Sequence, residues 1–165
     1  MYRPGHYGVS LLVYAPVLFA LRASGHAGAA LVGGVGMLAL ASVPDYDHRV
    51  PLISHREVTH TLAFAALVGA ALAGAAVGVG TVVGDPTPAL VVAGAFALGA
   101  FGIVAHLLGD VLTPAGIRPF WPLSGRKVTL SLWTADSTLA NYGLLAAGAF
   151  AAAVAVALPS AVGFP

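Results

Sequence analysis

Long apolar stretches separated by short polar segments divide the chain along its whole length of 165 residues. A helix needs roughly 20 apolar residues to cross a hydrocarbon core of about 30 Å. Five stretches approach that length, and they cover residues 7–21, 27–43, 61–84, 89–112 and 139–158. The pattern therefore predicts an all-α, polytopic transmembrane helix bundle of about five spans, forming a single integral membrane domain over residues 1–165.

The first stretch is the shortest and contains Pro16, which leaves two alternatives open. A re-entrant segment would reduce the bundle to four spans, and a cleaved signal peptide would remove the stretch altogether. Arg3 is the only Lys or Arg before it, and no small-x-small cleavage site follows Leu21. We therefore favour a full span here.

The composition agrees with a membrane protein and argues against other classes. Hydrophobic residues make up 59% of the chain, charged residues 8%, and the mean hydropathy is +0.93. The absence of cysteine excludes disulfides and thiolate metal sites. A net charge of +1 without a Lys/Arg stripe argues against nucleic-acid binding, so the expected surroundings are membrane lipids.

Positive charge is distributed unevenly between the two sides that five spans would create. With the amino terminus inside, only Arg22 falls on the outer side of the membrane. The inner side then carries Arg3, Arg49, Arg56, Arg118, Arg126 and Lys127. This bias predicts a multi-pass cell-membrane protein with a cytoplasmic amino terminus.

Carboxylates and imidazoles collect at the same predicted cytoplasmic end. They are His6, Asp45, Asp47, His48, His55, Glu57, His60, His106 and Asp110. His26 and Asp85 fall at the opposite end. Ionisable groups within a membrane segment are costly and mark a function or a pairing, so the buried His106 in particular needs a partner.

The residue types at this end suit a metal site. His106 and Asp110 are one helical turn apart, a spacing that fits two ligands of one metal and equally a hydrogen-bonded pair. The predicted metal donors are His6, Asp45, Asp47, His48, His55, His60, His106 and Asp110. Eight donors could hold two metals, or one metal surrounded by supporting groups. Imidazole and carboxylate without thiolate suit zinc, our first choice, and also manganese or iron.

The segment of residues 44–60 also supplies the predicted catalytic residues, which are Asp47, Glu57 and Arg56. An extended backbone at Asp45 and Asp47 would aim both carboxylates the same way. Glu57 fits a general base or a carboxylate favoured by the start of a helix. Arg56, like Arg49, fits a phosphate clamp, although topology and anionic headgroups also explain cytoplasmic arginines. We expect His55 on the loop and His60 in the first turn of the third span.

Residues 114–138 form the one long predicted connection, a loop at the membrane interface. It is rich in Pro and Gly and contains Trp121. An aromatic anchor in the headgroup region and a lid over the polar site are both consistent with this composition.

These motifs resemble those of the YdjM family, also described as membrane-bound metal-dependent hydrolases. The resemblance extends over residues 6–122 and rests on the order and spacing of several short elements. They are His6, "PDYDH" at 44–48, "HREVTH" at 55–60, "HLLGDVLTPAG" at 106–116 and "PFWP" at 119–122. The order of His and Asp is also similar to that in zinc-dependent phospholipase C proteins, which are helical and cleave phosphoesters.

The resemblance implies a membrane-embedded metal-dependent hydrolase, with a lipid or other phosphoester as its expected substrate at the cytoplasmic face. The alternative is a non-catalytic protein that uses the same cluster for metal binding or transport. Transport would favour ionisable residues continuing through the bilayer, and the outer halves of the predicted spans contain none. This pattern favours the enzyme.

Overall fold

The computed structural model describes residues 1–49 and 57–163, which form a bundle of five α-helices. The helices are α1 (Arg3–Ala23), α2 (Ala27–Leu40), α3 (Leu62–Val83), α4 (Ala89–Val111) and α5 (Thr138–Ala161). Two short 3-10 helices, Pro44–Arg49 and Val58–His60, lie between α2 and α3. All five helices are long and apolar enough to cross a membrane when α2 is counted with the turn after it, to His48. The predicted all-α transmembrane bundle is confirmed.

Helix α1 is continuous through Pro16 and has 21 residues. At 1.5 Å per residue it extends about 32 Å, the thickness of a hydrocarbon core. Pro4 stands in its first turn, where a missing N–H costs no helical hydrogen bond. The first apolar stretch therefore has the length of a full span, and the bundle has five membrane-length helices in place of four.

Glycines set the closest helix contacts. A Cβ added to Gly99 on α4 would lie 2.8 Å from the Cα of Gly69 on α3. On the other side of the bundle, a Cβ on Gly148 of α5 would collide with the backbone of Gly8 on α1. Small residues let membrane helices approach this closely, which brings α1 against α5 and α3 against α4.

The apolar interior is small because most large side chains face outward, as expected of helices surrounded by lipid. One buried cluster joins α1 to α2, α4 and α5, and within it the Tyr14 hydroxyl donates to the carbonyl of Ala30 at 2.9 Å. A second cluster joins α3 and α4 to Ile117 of the long loop. Outward residues such as Val82 and Leu139 are more than four-fifths exposed. Such surfaces suit a hydrocarbon environment and would be costly in water.

The loop between α4 and α5 folds back on the end of α4. Val128 and Ile117 pair in an antiparallel bridge, and the Leu130 N–H donates to the Val111 carbonyl at 2.7 Å. The carbonyl of Pro119 accepts from the N–H of Leu62 at the start of α3. The loop therefore lies at the end of the bundle where α3 begins and α4 ends.

Candidate metal site

Four polar side chains converge at this end of the bundle, in a position to hold one metal ion. Each offers a donor atom, and the four atoms lie within 4.8 Å of one another. Asp45 comes from the 3-10 helix after α2, His60 from the 3-10 helix before α3, and His106 and Asp110 from the last turns of α4. The last three are fully buried, whereas the Asp45 side chain is 29% exposed. The site therefore opens to its surroundings beside Asp45.

The spacing of the donor atoms fits a four-coordinate metal. The Nε2 atoms of His60 and His106 are 3.2 Å apart, and they lie 3.2 and 3.4 Å from Oδ2 of Asp110. Asp45 Oδ1 is 3.6 Å from both nitrogens. Tetrahedral ligands at about 2.0–2.2 Å from a metal are separated by about 3.3–3.6 Å. Five of the six separations among the four donors therefore lie within about 0.1 Å of tetrahedral edges, and the sixth, between Asp45 and Asp110, is within 4.8 Å.

Backbone geometry orients His106 for this role. Its Nδ1 lies 2.8 Å from the carbonyl oxygen of Ala41, at the end of α2. A carbonyl only accepts, so Nδ1 carries the proton and the neutral ring keeps its lone pair on Nε2. Metal-binding histidines are held in this way, with the second nitrogen donating to a carbonyl or carboxylate. The Nε2 lone pair therefore points toward Asp110 and His60.

The ring of His60 is oriented through Thr59 and Asp47. The Thr59 hydroxyl donates to Oδ2 of Asp47 at 2.7 Å, and its oxygen lies 2.9 Å from Nδ1 of His60. Because the single hydroxyl proton goes to Asp47, Nδ1 of His60 must donate to Thr59. This leaves the lone pair of His60 on Nε2, toward the donor cluster.

Asp45 and Asp47 point to different partners, in contrast to the expectation that both carboxylates aim the same way. The segment is a 3-10 helix, not an extended strand. At about 120° per residue, two side chains two positions apart diverge. Asp45 therefore faces the donor cluster, while Asp47 lies behind His60 against Thr59.

The carboxylates of Asp110 and Asp45 raise the pKa of the neighbouring His60. Burial alone would lower this pKa, but hydrogen bonding to the carboxylates of Asp110 and Asp45 favours the imidazolium more strongly. The net result is a pKa raised above the ordinary value. Groups that favour a protonated imidazole will also favour a bound metal cation.

His6 lies against this cluster from the first turn of α1. Its ring is stacked on that of His106, with centroids 3.8 Å apart and planes 7° from parallel. Its Nε2 is 3.7 Å from Oδ1 of Asp110 and 3.9 Å from Oδ2 of Asp45. These are the carboxylate oxygens that do not face His60 and His106. The α-ammonium group of Met1 donates to the same Asp110 oxygen at 2.8 Å.

The remaining residues predicted for the site have other positions. His48 is exposed, and Glu57 is half-buried directly before the second 3-10 helix. Neither belongs to the four-donor group found among the described residues. His55 and Arg56 lie outside the residues that the structure describes. At the opposite end of the bundle, His26 contacts Ser24 and is exposed.

Asn141 is a buried residue that fixes the amino-terminal segment, and the sequence did not reveal this role. Its Oδ1 accepts from the N–H of Tyr2 at 3.0 Å, and its amide donates to the carbonyls of Ala135 and Ser137. Asp136, its neighbour in sequence, is exposed. The presence of a polar side chain at the start of α5 was a signal, but nothing in the sequence identified its partner.

The family model of the YdjM inner membrane proteins matches residues 1–163. The chain therefore belongs to this family, as its motifs indicated. No curated protein and no solved structure gives a significant match. The family description specifies a membrane location and no reaction.

Proposed function

We propose that this YdjM-family chain is a membrane-embedded metal-dependent hydrolase whose substrate is a lipid or other phosphoester at the cytoplasmic membrane face. The observation that carries the proposal is the group of Asp45, His60, His106 and Asp110, whose donor atoms all lie within 4.8 Å of one another. Two histidines and two carboxylates without sulfur fit zinc, with manganese or iron as alternatives. A bound divalent metal supplies Lewis acidity toward a phosphoryl oxygen and activates water.

The protein's own side chains would position this chemistry. Thr59 and Asp47 hold the ring of His60, and the Ala41 carbonyl holds that of His106. Asp45 is the partly exposed member of the group, so a substrate would approach on its side. Glu57 is our candidate general base, because it is half-buried and three positions before His60.

Exposed cations at the same end favour an anionic substrate and a cytoplasmic orientation. Arg118, Arg126 and Lys127 lie exposed on the loop that folds back on α4, and Arg3 is exposed beside the amino terminus. Arg22 stands at the opposite end, in the last turn of α1. This asymmetry supports a cytoplasmic location of the site, where anionic headgroups and positive loops are both enriched. Arg56 remains a proposed phosphate ligand.

A non-catalytic metal-binding protein is the second candidate. The number of protein donors favours it, because structural metal sites commonly use four protein ligands and catalytic sites three. Transport is less well supported, since Asp, Glu, Lys, Arg and His are absent from the middle of the described spans. Activity on a phosphoester would separate the enzyme from the structural site.

Metal content of the detergent-purified protein tests the proposal directly. Wild type is compared with His106→Ala, and with His26→Ala as a control for removal of an imidazole at the opposite end. We expect one or two equivalents of transition metal in wild type and in the control, and loss of metal in His106→Ala together with hydrolysis of a phosphodiester. No metal in reconstituted wild type would overturn the proposal. Bound metal without hydrolysis across phosphoester substrates would favour the structural candidate.

A further inference from the structure

We propose that the cluster binds two metal ions, the second held by Nε2 of His6, Oδ2 of Asp45 and Oδ1 of Asp110. This inference rests on the proposed metal binding and specifies which ion faces the substrate. The two carboxylates would bridge the ions, since each directs one oxygen to His60 and His106 and the other to His6.

The distances separate the oxygens into two sets. Asp110 Oδ2 lies 3.2 Å from His60 Nε2 and 3.4 Å from His106 Nε2, whereas Oδ1 is the oxygen 3.7 Å from His6. Asp45 divides in the same way, with Oδ1 at 3.6 Å from both first-site nitrogens and Oδ2 at 3.9 Å from His6. The His6 distances slightly exceed a tetrahedral edge, so small inward shifts of the donors would close the site around an ion.

The stacking of His6 on His106 suits the separation expected of two metal ions. If the Nε2 atoms of the parallel rings point the same way, two ions bound to them would lie about as far apart as the rings. The ring centroids are 3.8 Å apart. Paired metals in hydrolytic sites lie about 3.5–4 Å apart, bridged by carboxylates. The geometry of the histidine pair therefore matches a two-metal site.

The Met1 α-ammonium group lies 3.3 Å from His6 Nε2 and 2.8 Å from Asp110 Oδ1. A metal ion bound by these two atoms would displace this group, so one cation would replace another. Meanwhile Nδ1 of the buried His6 has no hydrogen-bond partner among the described residues. A Cβ on Gly109 would lie 2.8 Å from that nitrogen, so the approach of the ring requires glycine. These features are explained if the packing holds the His6 ring in place so that its Nε2 atom can bind the second ion.

The two sites differ in the number of protein donors, and this assigns their roles. Four donors surround the first position, which matches the closed coordination of a structural metal. Three surround the second, which leaves a coordination position for a substrate oxygen or water, as in catalytic sites. Two divalent ions carry more charge than the two bridging carboxylates neutralise, so the pair would attract an anionic substrate such as a phosphoester.

Metal stoichiometry and manganese EPR of the full-length protein in detergent test this inference. Wild type, His6→Ala and Gly109→Ala are compared, with His48→Ala as a control that removes an exposed imidazole from the same end. We expect two equivalents and an exchange-coupled Mn²⁺ pair in wild type and in the control. In His6→Ala we expect one equivalent with an uncoupled signal. In Gly109→Ala the affinity of the second site for Mn²⁺ should fall at least about tenfold, while the affinity of the first site is retained.

The outcomes separate this inference from the proposed function. If wild type binds one equivalent of Mn²⁺ at saturation, the second site is overturned, although the protein still binds a metal at the first site. Two coupled equivalents retained in His6→Ala would also overturn it, because His6 would then not be a ligand. No metal in wild type would overturn the proposed function itself. Circular dichroism and size-exclusion profiles show whether each variant remains folded.

Discussion

The imidazole rings of His6 and His106 lie parallel with their centroids 3.8 Å apart, although one belongs to the first helix and the other to the fourth. The stack places two imidazoles from distant parts of the chain beside one carboxylate, with Nε2 of His6 at 3.7 Å and Nε2 of His106 at 3.4 Å from oxygens of Asp110. Each neutral ring can offer one nitrogen lone pair to a cation. The stack therefore supports the proposed binding of metal ions at this end of the bundle.

Loss of the Thr59 hydroxyl should weaken metal binding without abolishing it. In Thr59→Val the His60 ring loses the acceptor at Nδ1, and Asp47 loses a hydrogen bond. Removing such supporting groups typically lowers metal affinity about 10–100-fold. Competition titration with a chelating dye measures the change. Thr81→Val, which removes a hydroxyl that donates to the helix carbonyl of Val77, should retain wild-type affinity. Equal losses in both variants would contradict the orienting role.

Metal affinity should fall as the pH is lowered. Metal binding requires a neutral His60, and the pKa of this imidazole is raised in the metal-free protein. At a pH above this pKa the ring is free to bind, and below it a proton competes with the metal, lowering affinity by about tenfold per pH unit for one proton. Titrations of metal affinity between pH 5.5 and 8.5, which include the ordinary histidine pKa of about 6.5, measure this dependence on pH. An affinity that does not change with pH would show that His60 is not a ligand.

Asn141 should stabilise the amino-terminal segment. Replacement by Leu leaves the N–H of Tyr2 without its acceptor and the carbonyl of Ala135 without its amide donor, while the Ser137 carbonyl keeps the backbone N–H of residue 141. Unpaired buried groups cost about 1–3 kcal/mol, so Asn141→Leu should lower the unfolding temperature and increase amide exchange at Tyr2. Tyr142→Phe at the exposed neighbouring position is the control. An unchanged rate of amide hydrogen exchange at Tyr2 in Asn141→Leu would contradict the role of Asn141 in holding the amino-terminal segment.

Gly148 should be required for the contact between α1 and α5. A Cβ at this position collides with the backbone at Gly8, whereas a Cβ on Gly143 of the same helix meets no described atom within 4 Å. Gly148→Ala should therefore destabilise the fold by about 1–3 kcal/mol, and Gly143→Ala should not. Unfolding of both variants in a detergent and denaturant series compares them. Equal stability would contradict the requirement for glycine at this contact.

The orientation of the protein in the membrane can be tested by labelling single introduced cysteines, because the chain contains no cysteine of its own. We expect Asp85→Cys, at the end away from the metal site, to react with an impermeant maleimide on intact cells. Gly125→Cys, on the exposed loop at the site end, should react only after permeabilisation. The reverse pattern would place the amino terminus and the metal site outside.

The sequence was sufficient to predict the helices, because long apolar stretches leave few alternatives in a membrane. Helix α4 was predicted over residues 89–112 and is observed at Ala89–Val111. The gathering of His and Asp at one end also followed, since alternating spans place those helix ends together. The predicted place of His60 was close, although it lies in a 3-10 helix just before α3 begins.

The selection among eight candidate donors could not be read from the sequence. Asp45 and Asp47 have the same chemistry and nearly the same position in the sequence, and only in the folded bundle does one face His106 and the other Thr59. The need for glycine at position 109 could not be predicted either, since it depends on how closely the His6 ring approaches α4. Such choices are set by packing between distant helices, which no local pattern records.

The hydrogen bond from Tyr2 to Asn141 also bears on how the protein is made. The two residues are 139 positions apart, and α5 follows the other four helices in the chain. The segment carrying His6 can therefore gain this attachment only after α5 has been synthesised and has packed against α1. The position of a side chain near the amino terminus thus depends on a helix that is made much later.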